Sequence, residues 1–202
     1  MSKLKEKRRN QILIASLQAI AEKGFHSLTL QDIADYAGVS KGVTNYHFKN
    51  KEDVLRHLLE WVTDKIYENE YNAIQQEHTA IGKLTAYVEA AFSTPAENKR
   101  FFRVYIDFLG QVRHNSNFKE INDKFYDNCW SIGREIVSLG QEEGIFPSNM
   151  DIEKASISIR SLIDGCLIQW LMREQEDLHD YYKTICLETL IASLTNNNVV
   201  NQ

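Results

Sequence analysis

Apolar residues return every three or four positions along almost the whole chain, the spacing of helices that bury one face. Ile12, Ala15, Ala19 and Ile20 predict a first helix over about residues 5–23, with Gly24 as its stop. Thr29-Leu30-Gln31-Asp32 fits a capping box, in which Thr29 accepts from the Asp32 backbone and the Asp32 carboxylate reaches back. Leu30, Ile33, Ala34 and Ala37 then mark one stripe of a short helix. Gly38 supplies a left-handed turn, Val39 is expected as a buried plug, and Ser40 caps a second short helix from Lys41 to about His47. Two short helices joined by a tight glycine-containing turn make a helix-turn-helix. Asn50 caps the next helix, with Glu52 and Asp53 in its first turn, and Val54, Leu55, Leu58 and Trp61 carry it to about Tyr71.

Beyond it the pattern stays helical. Ile81, Leu84, Val88 and Ala91 mark one helix, and Pro95 opens another that carries Phe101, Phe102, Tyr105 and Phe108. Phe118, Ile121, Phe125, Ile132, Ile136 and Leu139 mark a longer one, ended by Gly144 and Pro147. Two helices close the chain, at about 151–174 and 177–195. Ser158, Ser161 and Gly165 are small enough to let another helix approach the first of them. The last carries Tyr182 and Ile185 on one side and Leu187, Leu190, Ile191 and Leu194 around it, a broad apolar arc that predicts burial against a partner subunit. The tail NNNVVNQ is expected to be disordered. Pro95 and Pro147 are the only prolines, so an all-α fold follows.

Composition supports a folded chain and charge divides it. The hydrophobic fraction of 43% and charged fraction of 25% are those of a globular protein and too apolar for a disordered one. The net charge of -5 conceals an asymmetry: residues 1–51 carry nine Lys/Arg against four Asp/Glu, residues 52–202 fourteen against twenty-four. A polyanion would therefore be met at the N-terminal end. Cys129, Cys166 and Cys186 are odd in number and lack a CxxC spacing, so neither a disulfide scaffold nor a zinc site is expected. Gln18 and Glu22 interrupt the apolar run near the N-terminus, and no stretch reaches the ~18 apolar residues of a membrane span, which makes a cytoplasmic protein the expectation. His57, His78, His114 and His179 fall on separate predicted helices with no HExxH, GxSxG, P-loop or dinucleotide fingerprint. No catalytic residue, cofactor or metal is expected.

The stretch GFHSLTLQDIADYAGVSKGVTNYHFKNKEDVL resembles the N-terminal DNA-binding domain of TetR-type transcriptional repressors, over about residues 8–60. Gly24, Thr29, Ile33, Ala34, Gly38, Val39 and Ser40 stand where that family has its helix stop, cap, packing pair and turn. Lys41-Gly42, His47-Phe48 and Lys51-Glu52 are also in register. Val43-Thr44-Asn45 departs from the family's usual Thr-Leu-Tyr, so a tyrosine that commonly touches DNA backbone is absent at Asn45. Leu162-Ile163-Asp164-Gly165 and Ile168-Gln169-Trp170-Leu171 are similar to the first of the family's two dimerisation helices.

The resemblance implies about nine helices, a DNA-binding head at residues 1–50 and a ligand-binding and dimerisation body at 51–202. It implies Gln31 and Lys41 as base readers, since Gln can pair with adenine and Lys donate to guanine. Gly42 would admit the DNA backbone, Ser40 would sit at the same turn, and Val43 would rest on a thymine methyl. Thr29, Asn45, Tyr46, His47 and Lys51 fit phosphate or sugar, and Arg8 and Arg9 an adjacent phosphate or the minor groove. Thr44 is expected in the core. Thirteen of the 21 aromatic residues lie between 61 and 130. Among them Trp61, Tyr87, Phe92, Phe102, Tyr105, Phe108, Tyr126 and Trp130 are candidates to line a pocket for an apolar or cationic effector. Leu162, Cys166, Trp170, Ile185, Leu190 and Leu194 are the candidate homodimer contacts. The implied mechanism is a population shift, in which effector binding moves the helix beginning near Asn50 and two heads lose their spacing of ~34 Å on DNA. A helix-turn-helix module for protein partners and a metal-responsive regulator are the alternatives.

Overall fold

The computed structural model describes residues 3–173 and 175–195, so the tail NNNVVNQ lies outside the described residues. Among them run nine α-helices and no strand: α1 (Lys3–Lys23), α2 (Leu30–Tyr36), α3 (Lys41–His47), α4 (Lys51–Ile74), α5 (Ala80–Ala91), α6 (Pro95–Val112), α7 (Ser116–Glu142), α8 (Ile152–Arg173) and α9 (His179–Thr195). The caps lie where the sequence puts them. Thr29 accepts from the Asp32 amide while the Asp32 carboxylate accepts from the Thr29 amide, Ser40 accepts from Val43, and Asn50 accepts from Asp53. Gly38 takes φ +62 and releases the chain from α2 into the turn. Pro95 opens α6, where its missing N–H leaves no bond unmade.

Three expectations change. Val39 is half-buried rather than a plug, because its amide already closes the turn on the Ala34 carbonyl while the side chain lies at the surface of a small head. Helix α4 runs on past Tyr71 to Ile74, whose side chain is fully buried and whose carbonyl accepts from Lys83 Nζ at 2.8 Å. The last helix begins at His179, after a single 3-10 turn at Glu176–Leu178.

The chain forms two compact units, residues 3–64 with 99–123 and residues 65–98 with 124–173 and 175–195. The first holds the helix-turn-helix around a core that includes Ile12, Ile20, Ile33, Phe48, Val54 and Leu58. Residues 99–123, expected in the body, belong to this unit.

The second unit buries charge. Arg160 of α8 is 2% exposed and donates from Nη1 to Glu70 Oε1 of α4 at 2.9 Å; Glu70 itself is 1% exposed. Asp164 Oδ1 lies 2.9 Å from Nη2 of the same guanidinium without the alignment of a hydrogen bond, and Arg160 Nε has no acceptor among the described residues. The guanidinium also stands 5.0 Å from the centre of the Phe125 ring. Burial raises the Glu70 carboxyl above its ordinary range, against the pull of Arg160, and pushes the Cys129 thiol up to about 12. Elsewhere in the unit α7 is packed tightly: a Cβ on Gly140 would come 2.0 Å from the Phe146 ring.

Breaking a buried pair costs more than removing it, because the survivor stays charged without a partner. Arg160→Met is expected to destabilise the protein by about 3–5 kcal/mol in urea unfolding. Adding Glu70→Leu should recover most of that loss; a double variant no more stable than the single one would show that the pair is not the source.

Candidate nucleic-acid interface

Helix α3 has seven residues and buries only Thr44, whose hydroxyl lies in the core with no hydrogen-bond partner among the described residues. Lys41 and Asn45 share one side of the helix, Gly42 and Tyr46 the neighbouring side, each pair being one turn apart. All four are exposed, Tyr46 by 70%, while Val43 and His47 are half-buried at the flanks. A Cβ on Gly42 would meet only Ser40 Oγ, at 3.7 Å, so nothing inside the chain requires a glycine there. The outward face is thus cationic at its N-terminal end, bare of side chain beside it, and aromatic at its far end.

Helix α1 adds charge to that far end. Lys5 Nζ stands 5.0 Å from the centre of the Tyr46 ring, and the ring meets that of His47 edge-on at 5.1 Å. Arg8 donates to Gln11 on its own helix. Arg9 lies over the buried Phe48 ring at 5.6 Å, its Nε without a hydrogen-bond partner among the described residues, so it covers the core under α3 instead of reaching outward as expected. His47 Nδ1 is buried and has no hydrogen-bond partner among the described residues. Burial, then the nearby charges of Lys5, Arg8 and Arg9, hold the His47 imidazole below its ordinary value.

Other candidates are already engaged. Gln31 is exposed but donates to Asp35 at 2.8 Å, so it must turn outward to meet a base. The Thr29 hydroxyl serves the capping box on both sides, donating to Asp32 Oδ2 and accepting from the Asp32 amide. Lys23 pairs with the same Asp32 carboxylate and, with Thr29, holds it well below the usual carboxylate range. Lys51, expected at a phosphate, donates instead to the carbonyls of Phe25 at 2.9 Å and His26 at 3.3 Å, because the loop after α1 leaves those groups unpaired beside the start of α4. Lys5 and its contact with Tyr46 escape a sequence reading; the basic run at residues 3–9 is the only trace of them.

The candidate pocket residues fall into both compact units. Trp61, Phe102, Tyr105 and Phe108 lie in the first and Tyr87, Phe92, Tyr126 and Trp130 in the second. Tyr105 donates to Asn122 at 2.7 Å, Phe108 packs on Phe118, Tyr87 meets Arg160, and Phe92 stands edge-on to the buried His179. Tyr126 and Trp130 stack, half-buried, with centroids 6.0 Å apart. The candidate dimer contacts need correction. Cys166, Trp170, Leu190 and Leu194 are 0–5% exposed in the single chain, and a side chain without free surface has none to give a partner. Leu162 and Ile185 are half-exposed. No group of three His, Cys, Asp or Glu among the described residues could hold a metal ion, and no described helix is long and apolar enough to cross a membrane.

Residues 12–58 match the family model for bacterial regulatory proteins of the tetR family, and residues 80–194 match that for the C-terminal part of BetI-type transcriptional repressors. The chain belongs to the tetR family. This tetR-family chain is accordingly a DNA-binding transcriptional regulator, and its exposed α3 face lies within the first match. The fatty acid metabolism regulator protein of Bacillus subtilis (strain 168) is 27% identical over 187 residues, 92% of this chain and 95% of the relative. The crystal structure of the regulator FadR from Bacillus subtilis in complex with stearoyl-CoA has a TM-score of 0.77 at 26% identity, covering 91% of this chain and 97% of that one. A regulator from Saccharomonospora viridis in complex with choline shares the fold with a TM-score of 0.85 at 22% identity, over 95% of this chain and 100% of that one.

The surroundings of His47 give the interface a pH dependence. In the free protein its pKa is depressed, so the imidazole is neutral near pH 7; a DNA phosphate alongside would supply the missing negative charge and raise it. Binding then takes up a proton, and DNA affinity is expected to rise as pH falls from about 7.5 to about 6, toward the ordinary imidazole value. The stability contribution has the opposite sense, being complete above the unfolded value of about 6.5 and lost as pH falls through the folded one. Anisotropy titrations across this range should show the trend, and His47→Gln should flatten it; an unchanged slope in the variant would assign the proton elsewhere.

Proposed function

We propose that the protein represses transcription as a homodimer on a palindromic DNA operator, and that a small apolar or cationic molecule taken up by its helical body releases it. The observation that carries this reading is the outward face of α3: Lys41, Gly42, Asn45 and Tyr46 do no work in the core and suit a DNA groove. Binding and release involve no chemical step, and the protein would act in the cytoplasm. On α8, Ile157, Ser161, Gly165, Ile168 and Met172 follow one another at helical spacing, with Ile157 40% and Met172 63% exposed. A Cβ on Gly165 would touch nothing in the single chain, which supports close approach by a second copy there, beside the half-exposed Leu162 and Ile185. The similarity to a regulator bound to stearoyl-CoA supports an effector with an acyl chain, and the shared fold with a choline complex keeps a cationic one in view.

Fluorescence anisotropy of labelled DNA from the protein's own promoter tests the reading. One segment should bind in preference to random DNA and lose affinity as salt rises, and Gln31→Ala or Lys41→Ala should each weaken it about tenfold, within the 1–3 kcal/mol of a base contact. Stearoyl-CoA and choline chloride are the first probes for release. If no promoter segment outcompetes random DNA, the repressor reading falls; if both variants bind like the parent, the base readers lie elsewhere.

A further inference from the structure

The loop after α1 is gripped from outside the helix-turn-helix. Phe25 is 9% exposed, and its ring meets Phe108 of α6 edge-on at 5.3 Å and Phe118 of α7 at 6.4 Å; those two rings meet each other at 5.3 Å. The Phe25 amide donates to Asp107 Oδ2 at 3.3 Å, and Asn115 in the α6–α7 turn donates to Glu52 of α4 at 2.7 Å. Connecting loops are ordinarily polar and solvated, so an aromatic ring held on its side chain and on both backbone groups needs a reason.

Its place in the chain gives one. Only residues 26–28 separate Phe25 from the Thr29 cap of α2, and Leu28 is itself buried, so the loop has no slack. Lys51, four residues beyond the end of α3, donates to the carbonyls of Phe25 and His26 and stands 5.7 Å from the Phe25 ring centre. The entry to α2 and the exit from α3 are therefore tied at one point, and the α6–α7 corner holds that point. On its open side lies a cleft of about 550 Å³ bordered by Phe25, Lys51, Leu55, Gln111, Asn115 and Phe118.

We infer that Phe25 is a positioning residue for operator binding, a key through which the α6–α7 corner sets the helix-turn-helix as one rigid piece. It touches no DNA. Moving the corner would turn α2 and α3 together without altering a single side chain of the recognition face. The inference rests on the DNA-binding reading and extends it to a part of the chain outside the head.

The test compares the full-length protein with Phe118→Ala, Phe25→Leu and Asp107→Ala, measuring affinity for the promoter segment and for random DNA across a salt series. Specific binding by the parent comes first; its absence would count against the operator reading, separately from this one. Phe118→Ala should cut the ratio of specific to random affinity about tenfold while leaving random binding and the salt slope unchanged, since no cation is lost. Phe25→Leu keeps an apolar plug and should hold the ratio within about threefold of the parent, as a near volume-conserving change does. A cooperatively melting Phe118→Ala protein with an unchanged ratio would overturn the inference, as would an equal fall in both affinities. Should Phe118→Ala fail to fold, Asp107→Ala, which removes a single bond, should still lower the ratio, and an unchanged ratio there overturns it equally.

Discussion

A helix that reads DNA must leave most of its surface outside the protein, and α3 gives the core only Thr44 and, at its C-terminal cap, Phe48. Two side chains cannot orient a two-turn helix, so its position is imposed by neighbours. Ser40 caps its start, the Val39 amide closes the turn onto α2, and Phe48 is covered by the Arg9 guanidinium at 5.6 Å and meets the His57 ring at 5.8 Å. The rest of the first compact unit follows from this shortage of core contact. Lys51, Phe25 and the α6–α7 corner supply from outside the grip that α3 cannot supply for itself.

The two units treat charge in opposite ways. In the first, cations gather at the surface near α3, where a polyanion can neutralise them; burial, and after it the charges of Lys5, Arg8 and Arg9, lower the His47 imidazole. In the second, Arg160 is withdrawn almost completely and held by Glu70, with Asp164 close by. Such a pair is weak evidence for stability, since desolvation offsets much of the attraction. Its direct consequence is to join α4 to α8 at one defined point.

Local features were legible in the sequence. The Thr29 and Ser40 caps, the left-handed Gly38, the opening of α6 at Pro95 and the inward-facing Thr44 are decided within a few residues, and the structure has them where spacing puts them. Features that depend on distant partners were not legible. Lys51 reads as a phosphate ligand until Phe25 and His26 present their carbonyls, and Arg9 as an outward cation until Phe48 lies beneath it. Trp170 and Leu190 read as contacts for a partner, but an apolar stripe does not reveal which neighbour covers it, and here it is their own chain. Nothing local marks Arg160 as buried, since its partner Glu70 lies ninety residues away.

Hydrogen exchange on the full chain, with and without the preferred promoter duplex at saturation, tests the central claim most directly. Slower exchange at residues 40–48 and in the first turns of α1, with α8 unchanged, is the result expected if the α3 face and its basic flank meet DNA. Protection confined to α8 and α9, with residues 40–48 exchanging as in the free protein, would contradict it.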